Sequence, residues 1–250
     1  MAMSYCLRWA AISPARTSGA GAKIAAARKT AAQVSDAQMD ALPLLAAFRV
    51  VPLYALARFG KWDEVLAEPV PDAKYPYPAA VSHYARGLAH LGKGDLDAAE
   101  KELDEVKRMA ADKVLEYTLF SPNTAAAIFA PAPEVLAGEI AARRKQYDIA
   151  IAHLARAVRL EDSLFYTEPE EWHYPARQAL GAVLLEAGRP REAETVYWDD
   201  LRKHTDNGWS LFGLAQALRA QDKKAEADAV QARFDKAWGR ADVKLAASRF

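Results

Sequence analysis

Cysteine is nearly absent. Cys6 is the only one in 250 residues, so no disulfide can form within the chain. That fits a reducing compartment, and a cytoplasmic setting is expected. No Cys/His cluster has the spacing of zinc ligands, so neither a metal nor another cofactor is expected. Charge of one sign is not in excess either. Lys plus Arg is 33 and Asp plus Glu is 33, a net charge of zero. This removes the bulk basic charge of a nucleic-acid binder and any strong pull toward anionic membranes. Long apolar runs are missing too. The longest, Ala41 to Ala57, is interrupted by Pro43, Arg49 and Pro52. A spanning helix needs about 20 mostly apolar residues, so the run reads as buried helices and no membrane span is expected.

The β-branched residues are scarce. Val, Ile and Thr total 27, whereas alanine alone numbers 55. Alanine is the best helix former and β-branched residues favour strands, so the composition points to an all-α fold. With 52% apolar and 26% charged residues the chain can bury a sizeable core and is not disordered overall.

A repeat organises this material. Gly87-Leu-Ala-His-Leu-Gly-Lys-Gly94-Asp-Leu96-Asp-Ala-Ala99 has a small residue, a turn seven residues later, and alanine five beyond that. Gly138 to Ala150, Gly181 to Ala193 and Ala215 to Ala227 repeat the pattern, and Arg58-Phe-Gly60-Lys-Trp62-Asp-Glu-Val65 supplies a shorter copy. Val65 to Ala99 is 34 residues and Ala193 to Ala227 is 34. Ala99 to Ala150 is 51, or 34 plus 17, and Ala150 to Ala193 is 43, or 34 plus 9. Small residues let two helices cross closely, while leucines and tyrosines such as Leu96, Tyr147, Leu154, Tyr197 and Leu214 fill the groove between them. Gly94 and Gly188 can take the left-handed conformation that ends a helix, and Asp95 and Asp148 sit near the next helix start.

Over residues 46–240 this 34-residue unit resembles the tetratricopeptide repeat (TPR) family, loosely the C-terminal half of a longer bacterial member. The resemblance implies a TPR-type α-solenoid, a right-handed superhelix of antiparallel helix pairs. Three regions follow. Residues 1–35 form a basic N-terminal segment with no acid before Asp36, running into a helix. That segment reads as transit-like or, because residues 22–32 already have a helix pattern, as the ragged start of a longer helical chain. Residues 36–240 are the repeat domain, with inserts at 112–133 and 161–174. Residues 241–250 are a tail. The first unit departs from the family pattern, because Pro69 and Pro71 stop its second helix.

In such a superhelix the first helix of each unit lines the inner groove, where a protein or peptide would bind. The register puts Tyr84, Leu88, Glu139, Arg143, Gln178, Glu186, Phe212, Gln216 and Arg219 there. Aromatic and arginine side chains suit peptide recognition. Arg143 and Arg219 imply an acidic partner; an intrahelical Glu139–Arg143 pair is the plainer account of that stretch. The second insert contains Glu170, Glu171, Trp172, His173 and Tyr174 and no Lys or Arg. A carboxylate beside His173 could tune it for acid–base chemistry or ligand binding, with Trp172 as a wall. The plainer reading is a loop anchored by its aromatics onto the next helix. Gly87 to Gly94 almost fits a phosphate loop, but Gly94 stands where a Ser or Thr would bind magnesium, and a helix precedes it. The other histidines, His83, His90, His153 and His204, form neither an HExxH motif nor a nucleophile pair. The expectation is therefore a non-enzymatic scaffold binding a protein or peptide, with no catalytic residue. Its rivals are an enzyme or small-molecule binder at insert 161–174 and a self-associating repeat fragment.

Overall fold

Five turns of one geometry organise the chain. At each, one residue adopts a left-handed backbone: Gly60, Gly94, Lys145, Gly188 and Asp222, with φ of 64, 83, 59, 72 and 60°. Each lies five residues before the small residue of the repeat. Each turn is also closed by the same pair of hydrogen bonds. In the second turn Gly94 N donates to Leu91 O at 3.0 Å and Asp95 N to His90 O at 2.9 Å; in the third Lys145 N donates to Ala142 O at 2.9 Å and Gln146 N to Ala141 O at 2.9 Å. These are the paired bonds that satisfy the orphan carbonyls at a helix C-terminus. Glycine is absent from two of the five turns, although only glycine takes this conformation without a steric cost of about 1–2 kcal/mol. Lys145→Gly is therefore expected to raise stability by up to about 1 kcal/mol, after glycine's extra unfolded-state entropy of about 0.5–1 kcal/mol is subtracted. A urea midpoint that falls at unchanged slope would contradict this.

The computed structural model describes residues 19–117, 122–167 and 170–249. Most of the basic N-terminal segment, residues 1–18, lies outside the described residues, as does Phe250. Helix makes up 72% of the structure, with no strand among the described residues. An N-terminal group comprises α1 (Ala20–Ala31), α2 (Asp36–Ala41) and α3 (Ala46–Arg49). The turns then join α4 (Val51–Arg58) to α5 (Trp62–Ala67), α6 (Pro76–Lys93) to α7 (Leu96–Ala110), and α9 (Pro131–Arg143) to α10 (Tyr147–Asp162). They likewise join α11 (Ala176–Glu186) to α12 (Pro190–Lys203) and α13 (Gly208–Arg219) to α14 (Lys224–Trp238). The short α8 (Ala125–Phe129) lies in the first insert. Pro131, within the first insert, opens α9, where its missing N–H costs nothing.

From α3 to α7, and again from α9 to α14, each helix packs against its chain neighbour. The first helices also touch one another in sequence, α4 to α6, α6 to α9, α9 to α11 and α11 to α13, and so form a continuous inner row. Val65, Ala99, Ala150, Ala193 and Ala227 are fully buried at the crossings. Leu154 and the Ala150 carbonyl approach Gly138 so closely that an added Cβ would stand 2.7 Å from Leu154 Cγ. One core cluster runs from Ile24 to Val230. The stretch Ala125–Arg143 is long and apolar enough to cross a membrane by composition, but 72% of its most apolar window is buried within this fold.

The near-match to a phosphate loop has a packing explanation. Gly92 lies under the Trp62 indole, where a Cβ would stand 2.3 Å from the ring, and Gly94 is the left-handed turn residue. Lys93 pairs with Asp63.

Candidate functional site

The inner row is filled by two segments of the chain itself. On α11, Gln178, Ala182 and Glu186 are four residues apart and share one face; on α9, Val135, Glu139 and Arg143 do the same. The second insert covers the first part of this stripe and the C-terminal tail the second.

The insert is held through the first insert. Asn123, buried ahead of α8, donates from Nδ2 to Phe165 O at 3.0 Å and to Glu171 Oε2 at 2.7 Å, and its Oδ1 accepts from Phe165 N at 2.9 Å. Trp172, His173 and Tyr174 then turn inward. His173 stacks on Tyr54 of α4 with ring centroids 4.3 Å apart and meets Tyr84 of α6 edge-on at 5.5 Å. Trp172 lies 5.6 Å from the same Tyr84 ring. The first helices of the first two units are thereby bridged by the loop that precedes the fourth.

A buried polar chain extends this bridge. Arg58, at the end of α4, donates to Gln178 Oε1 of α11 at 2.6 Å. Its guanidinium lies 3.5 Å from the Trp209 ring centre and 5.0 Å from that of Tyr174. Burial pulls the Arg58 pKa down to about 9, against the opposing pull of Tyr174 and Asp200. Gln178 Nε2 reaches Asp200 Oδ2 at 3.4 Å, Ser210 donates to the same oxygen, and the His204 ring faces Asp200 Oδ1 at 2.8 Å and Glu170 Oε2 at 2.7 Å. First, fourth and fifth units are thus tied across the inner side.

The tail occupies the rest. Along residues 241–247 burial alternates, with Val243, Leu245 and Ala247 half-buried and Asp242, Lys244 and Ala246 exposed. Over residues 241–245 that two-residue period marks an extended peptide lying along a surface, and the backbone then bends at residues 246–248. Ser248 and Arg249 are buried. Ser248 Oγ donates to Gln178 O at 2.8 Å and lies 2.6 Å from the Tyr197 hydroxyl. Tyr197 belongs to α12, yet its ring passes between Gly181 and Gly213 to reach the tail; a Cβ on either glycine would stand 2.4 or 2.2 Å from it. The Arg249 guanidinium pairs with Glu139 through Nη1 and with Glu186 Oε1 through Nη2 at 2.6 Å. Burial lifts the Glu139 pKa while Arg249 pulls it down; burial opposes the Arg249 charge, but the two carboxylates outweigh it and raise the Arg249 pKa.

The chain matches no family model, no curated protein and no solved structure. The site therefore rests on its own geometry.

The positions that the register assigned to the groove fall into distinct groups. Tyr84, Gln178, Trp172 and His173 are buried inside the bridge and present no surface to a partner. Glu139 and Glu186 meet Arg249, and Gln216 is half-buried on α13 in the register of Glu139. Arg143 is exposed at the end of α9. Phe212 and Arg219, seven residues apart, turn instead toward α14, where Phe212 packs on Phe234 at 5.5 Å and Arg219 donates to Gln231 at 2.8 Å. At the tail the inner row thus meets a cation with carboxylates, where Arg143 and Arg219 had suggested the reverse. Of the acidic residues of the insert, Glu170 pairs with His204, and Glu171 accepts from Asn123. Among the described residues no group of three or more His, Cys, Asp or Glu is placed to hold a metal ion. Arg58, Tyr197, Ser248 and Arg249 join the candidate site without having been expected there from the repeat register.

Proposed function

We propose that the chain is a helical-repeat scaffold of the tetratricopeptide type, without catalytic activity, that binds an extended protein or peptide segment along its inner row of helices. The observation that carries the reading is the seat of residues 242–249. A segment of the chain already lies there, extended over residues 242–245 with alternate side chains turned inward and bent at 246–248, with a buried serine bonded to a helix carbonyl and a buried arginine between carboxylates of two successive units. The 34-residue spacing and the five equivalent turns support the solenoid assignment. A photoreactive residue in place of Gln216, on the inner row, is expected to cross-link a partner in native lysate. The same residue in place of Ile149, exposed on the outer layer, is expected to give none. Adducts at 149 alone, or at neither position, would remove the inner row from the account.

A further inference from the structure

We infer that residues 242–249 are a built-in competitor for the inner groove, and that the partner displacing them offers an arginine side chain to Glu139 and Glu186. The inference rests on the groove being a peptide site. It adds the chemistry of the ligand and the reason an unliganded chain is closed.

The segment is matched to its seat along its length. The Asp242 carboxylate accepts from Ala20 N at 2.8 Å, at the positive end of α1. Val243 O accepts from Trp238 Nε1 at 2.7 Å. Ser248 and Arg249 then make the bonds to Gln178, Tyr197, Glu139 and Glu186. The segment carries no helix, and Gly239 and Arg240 before it are exposed, so it can leave without unwinding an element. A tethered segment of this kind acts at an effective concentration on the order of millimolar, enough to block a weak ligand and yield to a better one.

The carboxylates decide what the better ligand carries. Glu139 is 5% exposed, and its Oε1 has no partner among the described residues. Losing Arg249 without replacement would leave a buried charge unpaired, which is costly. Whatever takes the seat must bring a cation. The two carboxylates stand on different helices and take different Nη atoms of one group, which a forked guanidinium satisfies and a compact ammonium does not. An acidic peptide or a nucleic acid would be repelled there.

The test uses full-length protein and one probe, a fluorescein-labelled, amidated peptide of residues 242–249, followed by anisotropy. The wild-type chain is expected to bind it weakly, because the tail is in place. Arg249→Ala should bind it at least tenfold more tightly. Adding Glu139→Gln to Arg249→Ala should remove the gain, and a probe with alanine at the arginine position should not bind. Equal affinity of wild type and Arg249→Ala overturns the competitor. Equal binding of both probes overturns the arginine requirement while leaving a peptide groove in place. No binding by folded Arg249→Ala overturns both, and adducts at residue 216 would still uphold the groove. If Arg249→Ala does not fold, hydrogen exchange of residues 242–249 in the wild type decides. Saturating probe should accelerate it, and unchanged exchange overturns the inference.

Discussion

Gly181→Leu is expected to destabilise the protein by about 3 kcal/mol, at the upper end of the usual cost of overpacking a core. The reason lies in the Tyr197 ring. A Cβ at Gly181 stands 2.4 Å from Tyr197 Cζ, and on the other side a Cβ at Gly213 would stand 2.2 Å from the same atom. The ring is fully buried between two helices, and its hydroxyl is tied to Ser248, so it has nowhere to move. The substituted chain must either part α11 from α12 or expel the ring and lose the bond to the tail. Gly21→Ala is the control. It lies exposed in the first turn of α1 with nothing within 4 Å of an added Cβ, and its stability is expected to stay within about 0.5 kcal/mol of the wild type. Urea unfolding at matched slopes measures both. A Gly181→Leu protein as stable as the wild type would mean that the two helices are not in contact there.

The turns were the most legible part of this molecule. A left-handed residue five positions before a small one is a local demand of the backbone, and glycine meets it openly at residues 60, 94 and 188. Lys145 and Asp222 adopt the same conformation without that mark, and only the arithmetic of the repeat locates them. The aromatics of the second insert were also readable, because a run with Trp172 and Tyr174 in a chain of this kind seeks a core. Which core they fill was not readable, since Tyr54 and His173 are 119 positions apart and no periodicity relates them. Arg58 illustrates the same limit. A cation ending an apolar helix reads as a favourable charge at the negative helix end, exposed to water. Instead it sits buried against Trp209, from a unit four further along the chain. Arg249 left even less trace, because nothing in the residues of the tail signals which helices it lies against. That the inner row meets the tail's cation with a carboxylate follows only from the contact of Glu139 with Arg249, 110 residues apart.

Glu161→Gln is expected to make the protein progressively more stable than the wild type as pH rises. The Glu161 carboxylate caps the start of α11, accepting from Ala176 N at 2.8 Å. Burial pushes its pKa up to about 8 from the ordinary 4.5; the Ala176 N–H and His204 pull it down, and Asp200 and Glu170 push it further up. A raised carboxyl pKa means that the folded state holds a proton the unfolded state has already lost. The protonated group's contribution is complete below pH 4.5 and is lost as pH climbs through about 8, at roughly 1.4 kcal/mol per unit within that window. Glutamine keeps an oxygen for the Ala176 N–H and does not titrate. The stability difference between variant and wild type should therefore widen by about 3 kcal/mol from pH 5.5 to 8. His204 titrates in the same direction. Burial opposes its charge, but Asp200 and Glu170 on its two ring nitrogens outweigh burial and raise its pKa from 6.5 to about 10, so its contribution fades from pH 6.5 upward. That fading is common to both proteins and cancels in the comparison. Denaturant unfolding at several pH values reads the difference directly. Parallel curves would show that Glu161 is ionised throughout and that the junction between α10 and α11 is open to water.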